Sequence, residues 1–160
     1  MNDKYCTIDL FSGCGGLTEG LRQAGFHTIA ACEINPIAVE AYKIKHPDVI
    51  VYQNDIRLIN SNDIIKISCD NKISLLAGCP PCQGFSSVRR LNKKKSVRDK
   101  RNNLVLEYLR FVEELAPVTI MMENVPGLIN YSLFKKTIKR LSKLGYHTTY
   151  DVVDMKDFGI

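Results

Sequence analysis

Residues Tyr5–Phe11 read YCTIDLF, and Ser12–Gly16 continue them as SGCGG. An apolar run rich in β-formers, running straight into a cluster of glycines, predicts a strand that breaks into a tight turn. Leu17–Ala24 follows with helical character and stops at Gly25. The chain thus opens as strand, glycine turn, helix. The same alternation continues downstream. Thr28–Glu33 is a second expected strand, and Asn35-Pro36 starts a helix, with Asn35 as N-cap and Pro36 at the first position. Val49–Gln53 and Ile73–Ala77 are a third and a fourth strand, the latter apolar enough for burial on both faces. Leu104–Leu115 carries apolar residues at helical spacing and ends before Pro117; Val118–Met122 is a fifth strand. Leu133–Leu144 is a helix closed by Gly145, and Tyr146–Val153 is expected as a sixth strand.

This order predicts an α/β fold: a doubly wound, mostly parallel sheet with helices on both faces. In such sheets ligands bind beyond the carboxyl ends of the strands. That rule selects five places: the glycine turn, Glu33, Asp55, the segment after Ala77, and Glu123-Asn124. No repeat or linker divides the 160 residues, so one domain is expected. The chain is 45% hydrophobic and 24% charged, as in soluble globular proteins. No apolar run nears the ~18–20 residues of a membrane helix, and the N-terminus lacks a signal-peptide layout. A cytoplasmic protein with reduced cysteines is expected.

The net charge of +5 is unevenly placed. Between Ser86 and Asn103 stand Arg89, Arg90, Lys93, Lys94, Lys95, Arg98, Lys100 and Arg101 against Asp99 alone, so the remainder of the chain is net negative. A local contact with a polyanion fits this stretch, and so does a solvated loop.

The glycine turn is not the dinucleotide fingerprint, because Thr18 stands where G-x-G-x-x-G has its third glycine. It can still bring backbone amides against a ligand. Glu33, at the end of the next strand, sits where an acid accepts hydrogen bonds from ribose hydroxyls. Asp55 can meet an adenine amino group. No P-loop lysine is present, so a nucleoside without a triphosphate is the better fit. After the fourth strand comes Gly78-Cys79-Pro80-Pro81-Cys82-Gln83-Gly84-Phe85-Ser86. Two prolines stiffen the approach to Cys82, which makes it a candidate nucleophile. Cys79-x-x-Cys82 also fits a redox dithiol or half a zinc site, although no second ligand pair has matching spacing. A buried structural cysteine is the plain alternative. Glu123 leaves an apolar strand, where a carboxyl can retain a proton for chemistry.

Taken together, Asp9–Gly16, Pro80–Ser86 and Glu123-Asn124-Val125 resemble, in that order, three motifs of the DNA cytosine-5 methyltransferase family. The resemblance implies an S-adenosylmethionine-dependent methyltransferase of Rossmann-like fold acting on double-stranded DNA. It implies Cys82, Glu123 and Asn124 as catalytic residues. It implies a cofactor site at Phe11, Ser12, Gly13, Cys14, Gly15, Gly16, Leu17, Glu33, Ile34, Asp55, Ile56, Gly78, Pro80 and Leu104. It implies DNA contacts from Gln83, Ser86, Arg89, Arg90, Lys93, Lys94, Lys95 and Arg101, with residues 86–103 resembling the mobile basic loop that closes on DNA. No metal is implied. Bacterial restriction–modification is the expected setting. A tRNA-directed branch of the family resembles Pro-Pro-Cys-Gln-Pro-Phe-Thr, whereas Gly84 and Ser86 stand here. A non-catalytic cofactor- or DNA-binding remnant is the third reading, opposed by the intact Cys82 and Glu123.

The family's Gln-x-Arg-x-Arg motif and target-recognition domain do not follow Asp157-Phe158-Gly159-Ile160. The expectation is therefore an N-terminal catalytic part, incomplete at the C-terminal end of the sheet. A complementing polypeptide or self-association would complete it, with negligible methylation by the chain alone.

Overall fold

The computed structural model describes residues 5–68, 72–81 and 104–159. Five strands form one sheet in the order β3-β2-β1-β4-β5, all parallel. They are β1 (Cys6–Leu10), β2 (His27–Glu33), β3 (Ile50–Gln53), β4 (Leu75–Gly78) and β5 (Thr119–Met122). Helices α1 (Gly16–Gln23), α2 (Pro36–Lys45), α3 (Ser61–Ile65), α4 (Leu104–Leu115) and α5 (Ser132–Lys143) complete the frame. The chain runs outward from β1 through β2 to β3, then crosses to β4 and β5 on the other side. The reversal places the ligand crevice of a doubly wound sheet beyond β1 and β4.

β1 is buried on both faces, and its period-2 alternation sorts its side chains. Cys6, Ile8 and Leu10 join Leu76 and the apolar stripe of α4, including Tyr108, Phe111 and Val112. The opposite face carries Thr7 and Asp9, next to a smaller cluster of Leu21, Leu75 and Ala77 with Leu17 and Phe26 of the α1 region. Thr7 Oγ1 and Thr28 Oγ1 share a 2.8 Å hydrogen bond across β1 and β2. Helices thus cover both faces, as the strand–helix alternation requires.

Asn35 caps α2 as read from the sequence: its side chain accepts from the Ile37 and Ala38 amides, and Pro36 occupies the first turn. The short α3 was not foreseen. Its one local signal is Asn60, whose side chain accepts from Asn62 N at 3.0 Å. The expected sixth strand, Tyr146–Val153, does not form: residues 146–154 have no regular secondary structure, and residues 148–154 are largely exposed. Its threonines and valines have strand propensity, but that propensity expresses packing on a half-buried surface. β5 offers little such surface, because Thr119 and Met121 are themselves exposed. Tyr146 is held by its hydroxyl, which donates to Pro117 O at 2.6 Å, and Tyr150 by its ring, edge-on to Phe134 at 4.8 Å between centroids.

Where β4 ends, the packing is tight. A Cβ on Gly78 would lie 2.8 Å from Leu10 O, 3.1 Å from Leu10 Cβ and 3.2 Å from the Tyr108 ring. The Tyr108 hydroxyl is shared between Leu76 O at 2.9 Å and Met121 O at 3.0 Å, so α4 is pinned across β4 and β5. Gly78→Ala should therefore destabilise the protein by about 1–3 kcal/mol, the usual scale of an overpacked core site. Denaturant unfolding measures this, and a change below about 0.5 kcal/mol would refute the tight fit.

Candidate functional site

The carboxyl ends of β1, β2, β3 and β4 surround a cavity of about 480 Å³, within the ~300–1,000 Å³ range of small-molecule sites. Phe11, Cys32, Glu33, Ile34, Asn54, Asp55, Ile56, Arg57, Cys79, Pro81 and Leu104 line it. Six of these, Phe11, Glu33, Ile34, Asp55, Ile56 and Leu104, are residues the sequence proposed. Cys32, Asn54, Arg57, Cys79 and Pro81 were not among the expected cofactor residues. For Asn54 and Arg57, their place beside Asp55 was the available signal.

The turn after β1 begins with a strained residue. Phe11 has φ 60°, left-handed for a non-glycine residue, at a cost of ~1–2 kcal/mol. The strand therefore stops at Leu10, one residue earlier than expected. Gly13 (φ 55°) and Gly15 (φ 91°) continue the left-handed path. Ser12 N donates to Cys32 O at 3.1 Å, and Gly15 N donates to Ser12 O at 3.0 Å. The Glu33 carboxylate fastens the turn: Oε2 accepts from Gly13 N at 2.9 Å and Oε1 from Asn35 N at 2.8 Å. Each oxygen keeps a lone pair for a ligand hydroxyl. Around Gly16 the space where a Cβ would stand is empty to 4 Å, so backbone there is open to close approach. Cys14 is exposed, and Leu17 packs against the α1-side cluster rather than lining the cavity.

Asp55 accepts from Arg57 N and Nε on Oδ1, at 3.0 and 2.9 Å, and from Arg57 Nη2 on Oδ2 at 2.5 Å. The guanidinium holds the Asp55 carboxyl below its ordinary range, so it remains an acceptor. Arg110 of α4 braces the same wall, donating through Nη2 to Ile56 O at 2.8 Å while pairing with Glu107 and Glu114. Apolar walls from Phe11, Ile34, Ile56 and Leu104, with carboxylates at Glu33 and Asp55, suit a flat base joined to a sugar. The Ser12 hydroxyl, buried and without a hydrogen-bond partner among the described residues, is a further free polar group at the turn.

On the other side of the site, Asn124 Nδ2 donates to Pro80 O at 2.8 Å, and Asn124 Oδ1 accepts from Val125 N. Glu123 N donates to Gly78 O at 3.2 Å. The ends of β4 and β5 are thereby joined, and Glu123 is exposed beside Cys79. Burial, then the Glu123 carboxylate, push the Cys79 thiol up to about 12. Cys79 stays protonated at neutral pH and is a poor nucleophile. Burial raises Cys32 likewise, to about 12. Cys82 lies outside the described residues, as do Gln83, Ser86, Arg89, Arg90, Lys93, Lys94, Lys95 and Arg101 and the rest of the basic stretch. Among the described residues no cluster of metal-ligating side chains occurs, and no helix is long and apolar enough to cross a membrane.

The sequence profile of the C-5 cytosine-specific DNA methylase family matches residues 5–160. The chain is 33% identical to the type II methyltransferase M1.HphI of Haemophilus parahaemolyticus, over 98% of this chain and 44% of that one. It is 37% identical to the type II methyltransferase M.AquIA of Picosynechococcus, over 96% of this chain and 66% of that one. A crystal structure described as a DNA modification methyltransferase encoded within an E. coli prophage superposes with a TM-score of 0.73 at 36% identity. It covers 88% of this chain and 38% of the other. The chain thus spans under half the length of several relatives it matches.

Asp9 makes stability depend on pH. It is fully buried, and burial raises its pKa from 3.8 to about 6, against the opposing hydrogen bond from Thr18. Between those values the folded state binds a proton that the unfolded chain has lost. Stability from this group is full below pH 4 and is lost as pH rises through 6, by about 3 kcal/mol in all. Denaturant unfolding from pH 4 to 7.5 should show that fall in the wild type relative to Asp9→Asn. A difference between the two that stays constant with pH would exclude Asp9 as its source.

Proposed function

The chain belongs to the C-5 cytosine-specific DNA methylase family, and on that premise we propose that it forms the cofactor-binding and base-attacking part of a DNA cytosine-5 methyltransferase. The observation that carries this reading is the Asn124–Pro80 hydrogen bond. It sets the Glu123 segment against the rigid turn that leads into Cys82, one strand away from a nucleoside-sized cavity.

S-adenosylmethionine, when bound, supplies an electrophilic methyl group. Glu33 accepts from its ribose hydroxyls, and Asp55 with Ile34, Ile56 and Leu104 holds its adenine. Phe11 to Leu17, Gly78 and Pro80 complete the site. Cytosine C5 is a weak nucleophile toward such a methyl group. Addition of the Cys82 thiolate to C6 makes C5 enamine-like and able to attack. Glu123, in its protonated form, donates a hydrogen bond to N3 and accepts from the exocyclic amine, stabilising the charge that develops. Once C5 carries the methyl group, its proton passes to solvent water, and the C5–H electron pair re-forms the C5–C6 double bond as the C6–S bond to Cys82 breaks. C6 is unreachable inside a duplex, so the base must leave the stack. Gln83, Ser86, Arg89, Arg90, Lys93, Lys94, Lys95 and Arg101 are proposed to hold the DNA, chiefly through phosphates.

The relatives named as type II methyltransferases support a role in bacterial restriction–modification, and hence a cytoplasmic setting. A complementing polypeptide or a second copy of the chain is the proposed protein partner. Two features support it. Among the described residues no strand pairs with the outer edge of β5. Tyr150, Val152, Val153, Met155 and Phe158 beyond it are all more than half exposed.

Incubation with S-adenosylmethionine and 5-fluorocytosine-containing DNA, with and without a polypeptide carrying the Gln-x-Arg-x-Arg motif, tests the mechanism. A covalent adduct should form with that polypeptide, vanish in Cys82→Ser, and be negligible without it. No adduct in any combination refutes the reading. DNA retention should also weaken steeply with salt. Neutralising Arg89, Arg90, Lys93, Lys94 and Lys95 should flatten the slope of log K against log salt by up to ~0.9 for each phosphate no longer neutralised. An unchanged slope removes these residues from the interface.

A further inference from the structure

A buried polar chain lies behind the glycine turn, and the chemistry above does not use it. Thr18 Oγ1 of α1 donates to Asp9 Oδ2 of β1 at 2.7 Å. A hydroxyl has one proton, so the Tyr42 hydroxyl of α2, 2.7 Å from the same Oγ1, donates into it. Burial raises the Tyr42 phenol above its ordinary range, which keeps that proton in place. One turn further on, His46 Nε2 lies 3.2 Å from Gly15 O. A carbonyl only accepts, so the ring carries a proton on Nε2. The Tyr42 and His46 rings stand 4.8 Å apart between centroids. All four side chains are buried, with exposures of 0% for Asp9 and Tyr42, 2% for Thr18 and 7% for His46.

We propose that Tyr42 and His46, acting through Thr18 and Gly15, are positioning residues that fix the Phe11–Gly16 turn in the shape that receives the nucleoside cofactor. The proposal rests on the cofactor reading given above. Its first support is direct packing. A Cβ on Gly15 would lie 2.7 Å from the His46 ring and 2.9 Å from the Tyr42 ring, so the turn rests directly on the two rings. Its second support is the choice of chemistry. Next to this chain, Leu17 and Leu21 of α1 share an apolar cluster with Leu75, Ala77 and Phe26. That cluster already gives α1 an apolar seat on the sheet. A buried hydrogen-bonded chain adds directional constraint, at a desolvation cost that simple docking does not require. Its third support is symmetry of restraint. Glu33 holds the turn from β2 through Gly13 N, while His46 and Tyr42 hold it from α2. The left-handed Phe11 lies within the segment so held.

The test uses the whole chain, with two readouts. Titration calorimetry gives the affinity for S-adenosylmethionine, and amide hydrogen exchange in the ligand-free protein reports Gly13 to Gly16. Tyr42→Phe and His46→Leu should each weaken cofactor binding by about 5- to 20-fold, the scale of one missing buried hydrogen bond. Both should speed exchange in the turn. Thr18→Val should do the same, whereas Thr18→Ser and His46→Gln, which keep the polar group, should bind within about twofold of wild type. Val112→Ala, in the core on the opposite sheet face, lowers the melting temperature but should leave both readouts unchanged. Unaltered turn exchange in Tyr42→Phe and His46→Leu overturns the proposal. So does a Val112→Ala variant that loosens the turn equally, or a failure of the conservative variants to rescue. Wild type that binds no cofactor defeats the cofactor reading, while the exchange arm still decides whether these residues position the turn.

Discussion

Parallel register is the constraint on which this molecule depends. Leu10 of β1 pairs with Cys32 of β2 and with Gly78 of β4; Gly78 pairs in turn with Met122 of β5, and Glu33 with Gln53 of β3. Five strands therefore end side by side. The residues at or just past their ends, Phe11, Glu33, Asn54, Cys79 and Glu123, are delivered to one edge without any long-range choice by the side chains themselves. A parallel sheet needs a helix between strands, and those crossovers bring Tyr42, His46 and Leu104 toward the same edge. Burial of β1 on both faces holds the register, since a slip by one residue would exchange Ile8 and Leu10 for Thr7 and Asp9 against α4.

The same end of the sheet gathers acids, and the structure treats each differently. Glu33 is committed to backbone amides and stays available as an acceptor. Asp55 is stabilised as an anion by Arg57. Asp9, fully buried and close enough to Glu33 to feel its charge, holds its proton up to about pH 6. Three carboxyls in one neighbourhood thus sit in three different environments: backbone donors, a guanidinium and burial. The thiols are separated by the same logic. Cys32 and Cys79 are kept protonated by burial and neighbouring acids, which sets them against any role that needs a thiolate.

The sequence made local features legible. Apolar runs marked five strands, Asn35-Pro36 marked a helix start, the strand-end rule named Glu33 and Asp55, and the family resemblance added Phe11, Ile34, Ile56 and Leu104 before their common cavity was visible. Non-local features were not legible. Asp9, Thr18, Tyr42 and His46 stand at no diagnostic spacing, and each alone reads as an ordinary polar or aromatic residue. Their link exists only because the fold sets α1 against β1 and α2 against α1. Arg110 is similar: on its helix it forms ion pairs three and four residues away, and only the fold shows it holding Ile56 O. Tyr146–Val153 failed for the opposite reason, because its local propensity was strong and β5 left little buried surface for a further strand to cover.

Pro80 and Pro81 explain why an asparagine follows Glu123. A proline has no amide hydrogen, so two in succession leave this turn almost without backbone donors. Such a segment can be held only through its carbonyls, and the holder must donate. Asn124 supplies a donor from Nδ2 to Pro80 O, while its own carbonyl is taken by Val125 N. An aspartate would offer a second acceptor to Pro80 O and repel it. Pro80 is buried, so its carbonyl has little recourse to water. The turn is thus stiff in itself through proline, and fixed in place from the neighbouring strand through a side-chain amide. That combination holds Pro81, the last residue before Cys82, at the wall of the cavity. The demand for an amide at position 124 therefore arises in the Pro-Pro sequence at the end of the neighbouring strand, which is why the two motifs have to be read as a pair.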